Sequence, residues 1–242
     1  MNKYIQADLL GFVLLGLVLF LGGCTGQGFH LKNLAKTDID MVADAHYQEA
    51  ELLLKELTVK LYKRNPKYLG FNKKHLGVDQ EHLDKAGIID SRIQQLFGTP
   101  GNLVFSELSV SGVAAIELAL ATNYEGDRIF ALMAGLTAMV RQSYGFQSEF
   151  FIYSDLDGQQ LYYSARNLEI ALWRISTYQD DQGQLLILTN SMNGGMHNLS
   201  YERLFGKLIA LQDILGKIVA GKNQRMIKTI AQNVATMAFI PI

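Results

Sequence analysis

The chain predicts an all-α fold of about seven helices around a buried central hairpin, and three observations carry that prediction. Apolar residues recur at steps of three and four through several separate segments, the spacing that lines one face of an α-helix. Two central segments, Val113 to Ala121 and Ile129 to Val140, are apolar on almost every side, as helices enclosed by other helices are. Between the segments stand Asp, Ser, Asn, Gly and Pro, residues that start or stop helices for stereochemical reasons.

The first helix is expected from Asp38, an N-cap candidate, to Arg64, stopping before Pro66. Val42, His46, Ala50, Leu53, Leu57 and Leu61 form its apolar face, and Glu51 and Lys55 form an i,i+4 pair on the other. Lys67 to Val78 reads as a basic loop. Asp79 is expected to cap a second helix that contains Gly87 and ends near Phe97. Gly98 to Asn102, with Pro100, breaks the chain, and Leu103 to Leu108 fits either a short extended piece or a helical lead-in. The central hairpin follows, turning at Asn123 to Gly126. Its Ala131, Ala134, Gly135 and Ala138 are small enough to let neighbours approach closely. Each arm is too short to cross a bilayer.

Phe146 to Tyr153 is aromatic-rich. Asp155 or Asp157 then caps a helix with Leu161, Ala165, Leu168, Leu172 and Ile175 on one face. Gln179 to Gln184 is a polar loop, Leu185 to Leu188 a short apolar run, and Asn190 to Asn198 a flexible stretch around Gly194-Gly195. Ser200 is the expected cap of a helix bearing Leu204, Leu208, Leu211, Leu215 and Ile218, closed near Gly221. Asn223 is expected to open a seventh, with Ile227, Ile230, Val234 and Ala238 inward. The apolar tail at Ala238 to Ile242 is expected to pack on its own core, with insertion into a partner as the alternative.

Composition narrows the function classes. The net charge of −1 leaves no electrostatic footprint for nucleic acid or anionic lipid. Charged residues are 19% of the chain and apolar residues 49%, which implies extensive burial or a sizeable contact surface. With one cysteine, Cys24, no disulfide can form within the chain.

The N-terminus has its own pattern. Lys3 precedes an apolar run from Leu9 to Leu21, a length suited to a signal-peptide core and short of the roughly 20 residues that span a bilayer. Leu21-Gly22-Gly23-Cys24 then places two small residues before the cysteine. This resembles the lipobox of bacterial lipoproteins. The resemblance implies a removed signal peptide (1–23), a tether (24–37) that begins with a lipidated Cys24, and an all-α periplasmic domain (38–242). Thr25 in the following position implies the outer membrane, on its periplasmic face. The segments Leu61–Pro66 (LYKRNP) and Asn198–Asp213 (NLSYERLFGKLIALQD) are similar to uncharacterised lipoproteins of Gram-negative bacteria, a likeness that implies no activity.

Candidate chemistry is sparse. The sequence has no phosphate-loop, G-x-S-x-G or H-E-x-x-H pattern. Asp155-Leu156-Asp157-Gly158 opens like a calcium loop, but Gln160 and Arg166 stand where glycine and glutamate are needed, so capping is the better reading. His46 and Glu49 reverse the order of a di-iron motif and lack a second copy, so no metal or other cofactor is expected. The remaining candidates are charges within apolar helices: Glu117, Arg141, Arg166, Glu169 and Arg174. Each needs a partner if buried. They form either a structural ion-pair network or the polar lining of a pocket for an anionic or amphipathic ligand. The expected function is therefore non-enzymatic: a membrane-anchored accessory component of a cell-envelope assembly, with a protein partner there. The alternative is a binding module with an apolar cavity between helices, its mouth lined by Arg166, Glu169 or Arg141.

Overall fold

The computed structural model describes residues 36–69, 84–152, 154–190, 192–193, 196–197, 199–223, 226–228 and 238–242. Residues from Thr37 onward form one compact unit. Among the described residues are six α-helices: α1 (Asp38–Arg64), α2 (Lys85–Phe97), α3 (Val113–Leu120), α4 (Arg128–Ser143), α5 (Gly158–Thr177) and α6 (Ser200–Lys222). The all-α expectation stands, with six helices in place of seven. Most of the expected seventh lies outside the described residues; 226–228 are not helical, and 238–242 run without regular structure.

The centre of the fold is the hairpin of α3 and α4. α4 packs against α1, α2, α3 and α5, so every residue from Asp127 to Arg141 is buried. That enclosure explains the helix's all-round apolar sequence. Gly135 is where α3 comes closest: a Cβ there would stand 2.7 Å from the Gly112 carbonyl and the Ile116 backbone nitrogen. A second close crossing joins α5 to α6. A Cβ at Gly158 would lie 2.6 Å from the Gly216 carbonyl oxygen.

The N-cap of α1 falls one residue earlier than expected. Thr37 occupies the N-cap and forms a capping box with Asp40: Thr37 N–H donates to Asp40 Oδ2 at 2.7 Å, and Asp40 N–H to Thr37 Oγ1 at 3.3 Å. Thr and Asp satisfy each other's backbone donors, which Asp38 alone could not do. Asp84 caps α2 through the Gly87 N–H at 2.9 Å; Asp79 lies outside the described residues. Asp157 caps α5 through the Gln159 N–H, in line with the capping reading of the Asp-Leu-Asp-Gly run. Ser200 is the first residue of α6 and not its cap; Leu199 holds that position without a side-chain bond. The helix also runs past Gly221 to Lys222. Within 190–198, Met192–Asn193 and Met196–His197 pair as a short antiparallel ladder, as a two-residue Gly-Gly connection favours.

The buried row of α1 holds Ala43, Tyr47, Ala50, Leu54, Leu57 and Leu61, with His46 half-buried at its margin. His46 Nδ1 lies 3.3 Å from the Leu211 carbonyl oxygen on α6. Buried Gln212 ties α6 to the end of α4, accepting from Ser143 Oγ at 3.2 Å.

Three carboxamide side chains fasten non-helical segments to helices, each bonding both the N–H and the C=O of a single distant residue. Asn65 holds Leu188 at 2.8 Å in both directions. Asn167 holds Ile240 at 2.8 and 2.7 Å, and Gln159 holds Lys228 at 3.1 and 2.8 Å. The Asn167 bonds, together with Arg174 above the Phe239 ring at 4.5 Å, pack the apolar tail on its own core as expected.

Candidate functional site

The five charged residues singled out from the sequence fall into three separate places. Arg141, at the last turn of α4, is buried and reaches α1, where its Nη2 donates to Glu51 Oε1 at 2.6 Å. Its Nη1 donates to the Thr99 carbonyl oxygen at 2.9 Å, tying down the chain after α2. Glu51 therefore turns inward to Arg141, where Tyr47 also donates to it at 3.0 Å, and does not pair with Lys55. Lys55 lies over the Phe97 ring instead, at 5.4 Å. Burial, with the Glu51 carboxylate beside it, pushes the Tyr47 hydroxyl up to about 12.

Arg166 and Glu169 meet on α5 at 3.0 Å, and Arg166 also pairs with Asp213 of α6 at 2.6 Å. All three are partly exposed. Desolvation raises Glu169 above the usual carboxylate range, Arg166 opposes that shift, and Asp213 adds to it. Asp213 is thus an interhelix partner. Arg174 lies over Phe239 and stands 4.0 Å from Glu117, whose side chain is mostly exposed.

A fourth cluster is buried more deeply and has a weaker sequence signal. Arg92 of α2, fully buried, pairs through both terminal nitrogens with Glu107 and stands 3.6 Å from Asp127. Asp127 also accepts from Tyr62 Oη at 2.7 Å and caps α4 through Phe130 N–H at 3.0 Å. Burial pushes the Asp127 carboxyl up, while the bonds from Phe130 and Tyr62 and the charge of Arg92 oppose the shift. Arg92 stacks on the Phe130 ring at 4.0 Å. The clue in the sequence is an arginine between Ile89 and Ile93, on the row that includes Ile88 and Leu96. Chemically this cluster cross-links α1, α2, the 98–112 segment and α4, because an unpaired charge at any of these positions would be costly to bury.

Three surface clefts accompany these clusters, and none of the five sequence-derived residues lines them. One, of about 270 Å³, lies between the start of α1 and the end of α6 and includes Ile39, Asp40, Ile152, Asp155 and Lys222. Another, of about 410 Å³, lies beside Gly158 and Gln159 and includes Met226 and Lys228. The third, of about 240 Å³, lies between the last turn of α1 and the first turn of α6. Among the described residues no three His, Cys, Asp or Glu side chains are grouped to hold a metal ion, and no helix is long and apolar enough to cross a membrane. Cys24 lies outside the described residues.

Compared with known proteins, the chain matches no family model, no curated protein and no solved structure.

Proposed function

We propose that this chain is a lipid-anchored protein of the bacterial envelope that acts without catalysis, as a structural or accessory component of an assembly on the periplasmic face of the outer membrane. The observation that carries the reading is Leu21-Gly22-Gly23-Cys24 at the end of a 13-residue apolar run. A single acyl chain holds a protein only marginally, whereas a multiply acylated cysteine keeps it on the membrane. The ionic groups of the body support a structural role. Arg92, Arg141 and Arg166 each join two or more elements through carboxylates or carbonyls.

Processing provides the test. In a Gram-negative host the native polypeptide is expected to begin at Cys24 with a diacylglyceryl mass on its sulfur, and Cys24→Ser is expected to accumulate as precursor that leaves the membrane fraction. A native chain that begins at Met1 with a free thiol removes the anchor and the compartment together. In-cell crosslinking tests the accessory role: a discrete envelope protein captured by the wild type and lost with Cys24→Ser is the expected result. An enzymatic activity abolished by Glu117→Gln would replace this role with catalysis.

A further inference from the structure

The turn after Phe150 departs from the chemistry usual at a protein surface. Phe150 itself is buried, its ring centre 6.4 Å from that of Tyr47 and 5.8 Å from that of Tyr144, and its N–H donates to Asp44 Oδ1 of α1 at 2.8 Å. The chain then reverses. Ser154 N–H donates to the Phe151 carbonyl oxygen at 2.7 Å, and Phe151 N–H donates to Ser154 Oγ at 3.0 Å. Exposed turns ordinarily carry Gly, Pro, Asn, Asp or Ser, which favour the reversal and keep water at the tip. This one carries Ile152, 66% exposed, in a turn bonded at both ends.

Ile152 stands at the end of the body where the chain arrives from Cys24. It shares the 270 Å³ cleft with Ile39, on the first turn of α1, and Met41 of the same turn is 44% exposed. Thr37, which caps α1, follows Cys24 by 13 residues, at most about 45 Å of chain. The other end of the α1–α6 pair, where Leu199 precedes α6, lies about 35 Å away along the helix. Charge decides which surface this end suits. Asp38 and Asp155 are exposed there, while Lys222 is engaged with Asp40 at 3.7 Å. Exposed carboxylates are repelled by an anionic headgroup layer, so apolar contact with a neutral layer has to supply the attraction. One isoleucine is too little to bring a free protein to a bilayer. A tether this short holds the tip at an effective concentration on the order of millimolar, where a weak contact suffices.

We propose that the Ile152 turn and the first turn of α1 dock on the neutral phospholipid surface that holds the Cys24 acyl chains, with Ile152 in the interfacial layer. This rests on the lipid anchor proposed above. It adds a fixed orientation: the last turn of α1 and the first turn of α6 point away from the membrane, into the water.

The test uses the full lipidated chain in phosphatidylcholine vesicles. With the Cys24 sulfur in a thioether, Asp155→Cys or Leu199→Cys introduces the one free thiol, which takes a nitroxide spin label. Collision of the label with a water-soluble nickel chelate reports its exposure, and the same labelled position in the Cys24→Ser chain in solution is the reference. The label at 155 is expected to lose chelate access severalfold on the vesicles, and the label at 199 to keep the access it has in solution. Ile152→Gln, a surface change, is expected to lower the ratio of docked to free body about 10-fold, the effect of withdrawing one aliphatic side chain from an apolar layer. Phosphatidylglycerol in the vesicles is expected to leave the label at 155 no deeper. Mass spectrometry of the Cys24 peptide from the same sample separates the two readings. Acylated Cys24 with equal access at 155 and 199 overturns the docking and leaves the anchor standing, whereas a bare sulfur overturns both. Shielding at 155 that survives Ile152→Gln, or that deepens with phosphatidylglycerol, also overturns the docking.

Discussion

At the scale of single residues, what distinguishes the ion pairs is how much water they keep. Arg141 is 1% exposed and its partner Glu51 is largely covered, whereas Arg166, Glu169 and Asp213 all keep contact with solvent. Arg141→Met is therefore expected to lower unfolding free energy by about 2–3 kcal/mol, because the fully buried cation that serves Glu51 and the Thr99 carbonyl is lost. Arg166→Met is expected to lower it by only about 1 kcal/mol, because Glu169 and Asp213, 27% and 26% exposed, keep water as partners. Urea unfolding of the two variants checks the contrast, and equal losses would place the Arg166 cluster in the interior as well.

Buried phenols carry a pH signature at the same scale. Burial raises the hydroxyls of Tyr47, Tyr68, Tyr124, Tyr144 and Tyr201, Tyr47 to about 12. Between the ordinary tyrosine value, near 10, and these raised values, the folded chain holds protons that the unfolded chain has released. The stability these groups confer is thus complete below about pH 10 and is lost as pH rises through the raised values. Denaturation midpoints are expected to fall steeply above that point, and absorbance at the phenolate band should show the buried tyrosines titrating only as the fold is lost. A native protein whose 11 tyrosines all titrate together near pH 10 would contradict this burial.

Sequence reading at this scale saw that charges inside apolar helices need partners, and it named Arg141, Arg166 and Glu117. It did not see which partners. Glu51 looks like half of a surface i,i+4 pair until the long-range packing of α1 on α4 turns it toward Arg141. Arg92 shares a helical row with Ile88 and Leu96, a clue to its burial, but nothing in local spacing points to Glu107 and Asp127 as its partners.

Among elements, helix contact is set by glycine at two crossings. A methyl group at Gly135 would meet backbone atoms of α3, which cannot swing away as a side-chain tip can. Gly135→Ala is expected to destabilise by about 1–3 kcal/mol, as overpacking does. Gly206, in α6 with nothing within 4 Å of a new Cβ, provides the control. Gly206→Ala is expected to stabilise by about 0.5–1 kcal/mol through helix propensity alone. Thermal melts of the pair check both signs, and stabilisation by Gly135→Ala would mean that α3 and α4 are not in close contact. The small residues of α4 were legible because they interrupt a long apolar helix. Gly158 and Gly216 were not: one stands where a cap is expected, the other beside a leucine stripe that fits without it. The stripes of α5 and α6 were read within one or two positions. Ser200 was misplaced as a cap because serine's preference is local, whereas the cap falls one residue earlier, at Leu199.

Across the whole molecule, two arginines from different helices pin one irregular stretch. Arg92 holds Glu107, and Arg141 holds the carbonyls of Thr99 and Gly101, so the 98–112 segment is fixed near both ends while Val104 between them stays exposed. The all-α class and the central hairpin were legible because periodicity and all-round apolarity are properties of the chain itself. How the irregular segments are fastened was not, because an asparagine or glutamine that bonds a backbone far away has no local spacing to betray it.

Those carboxamide fasteners have a kinetic consequence. A segment fastened to a helix mainly through side chains can detach by their rotation while the helix beneath stays intact, so it opens in a different event from global unfolding. In heavy water the amide protons of Leu188 and Ile240, donated to the buried Asn65 and Asn167, are expected to exchange slowly, and that of Lys228, in a solvent-exposed bond to Gln159, quickly. Replacing Asn65 by alanine should free the Leu188 proton while the slow protons of α4 keep their rates. If instead every slow proton accelerates together, these segments and the helices open as a single unit.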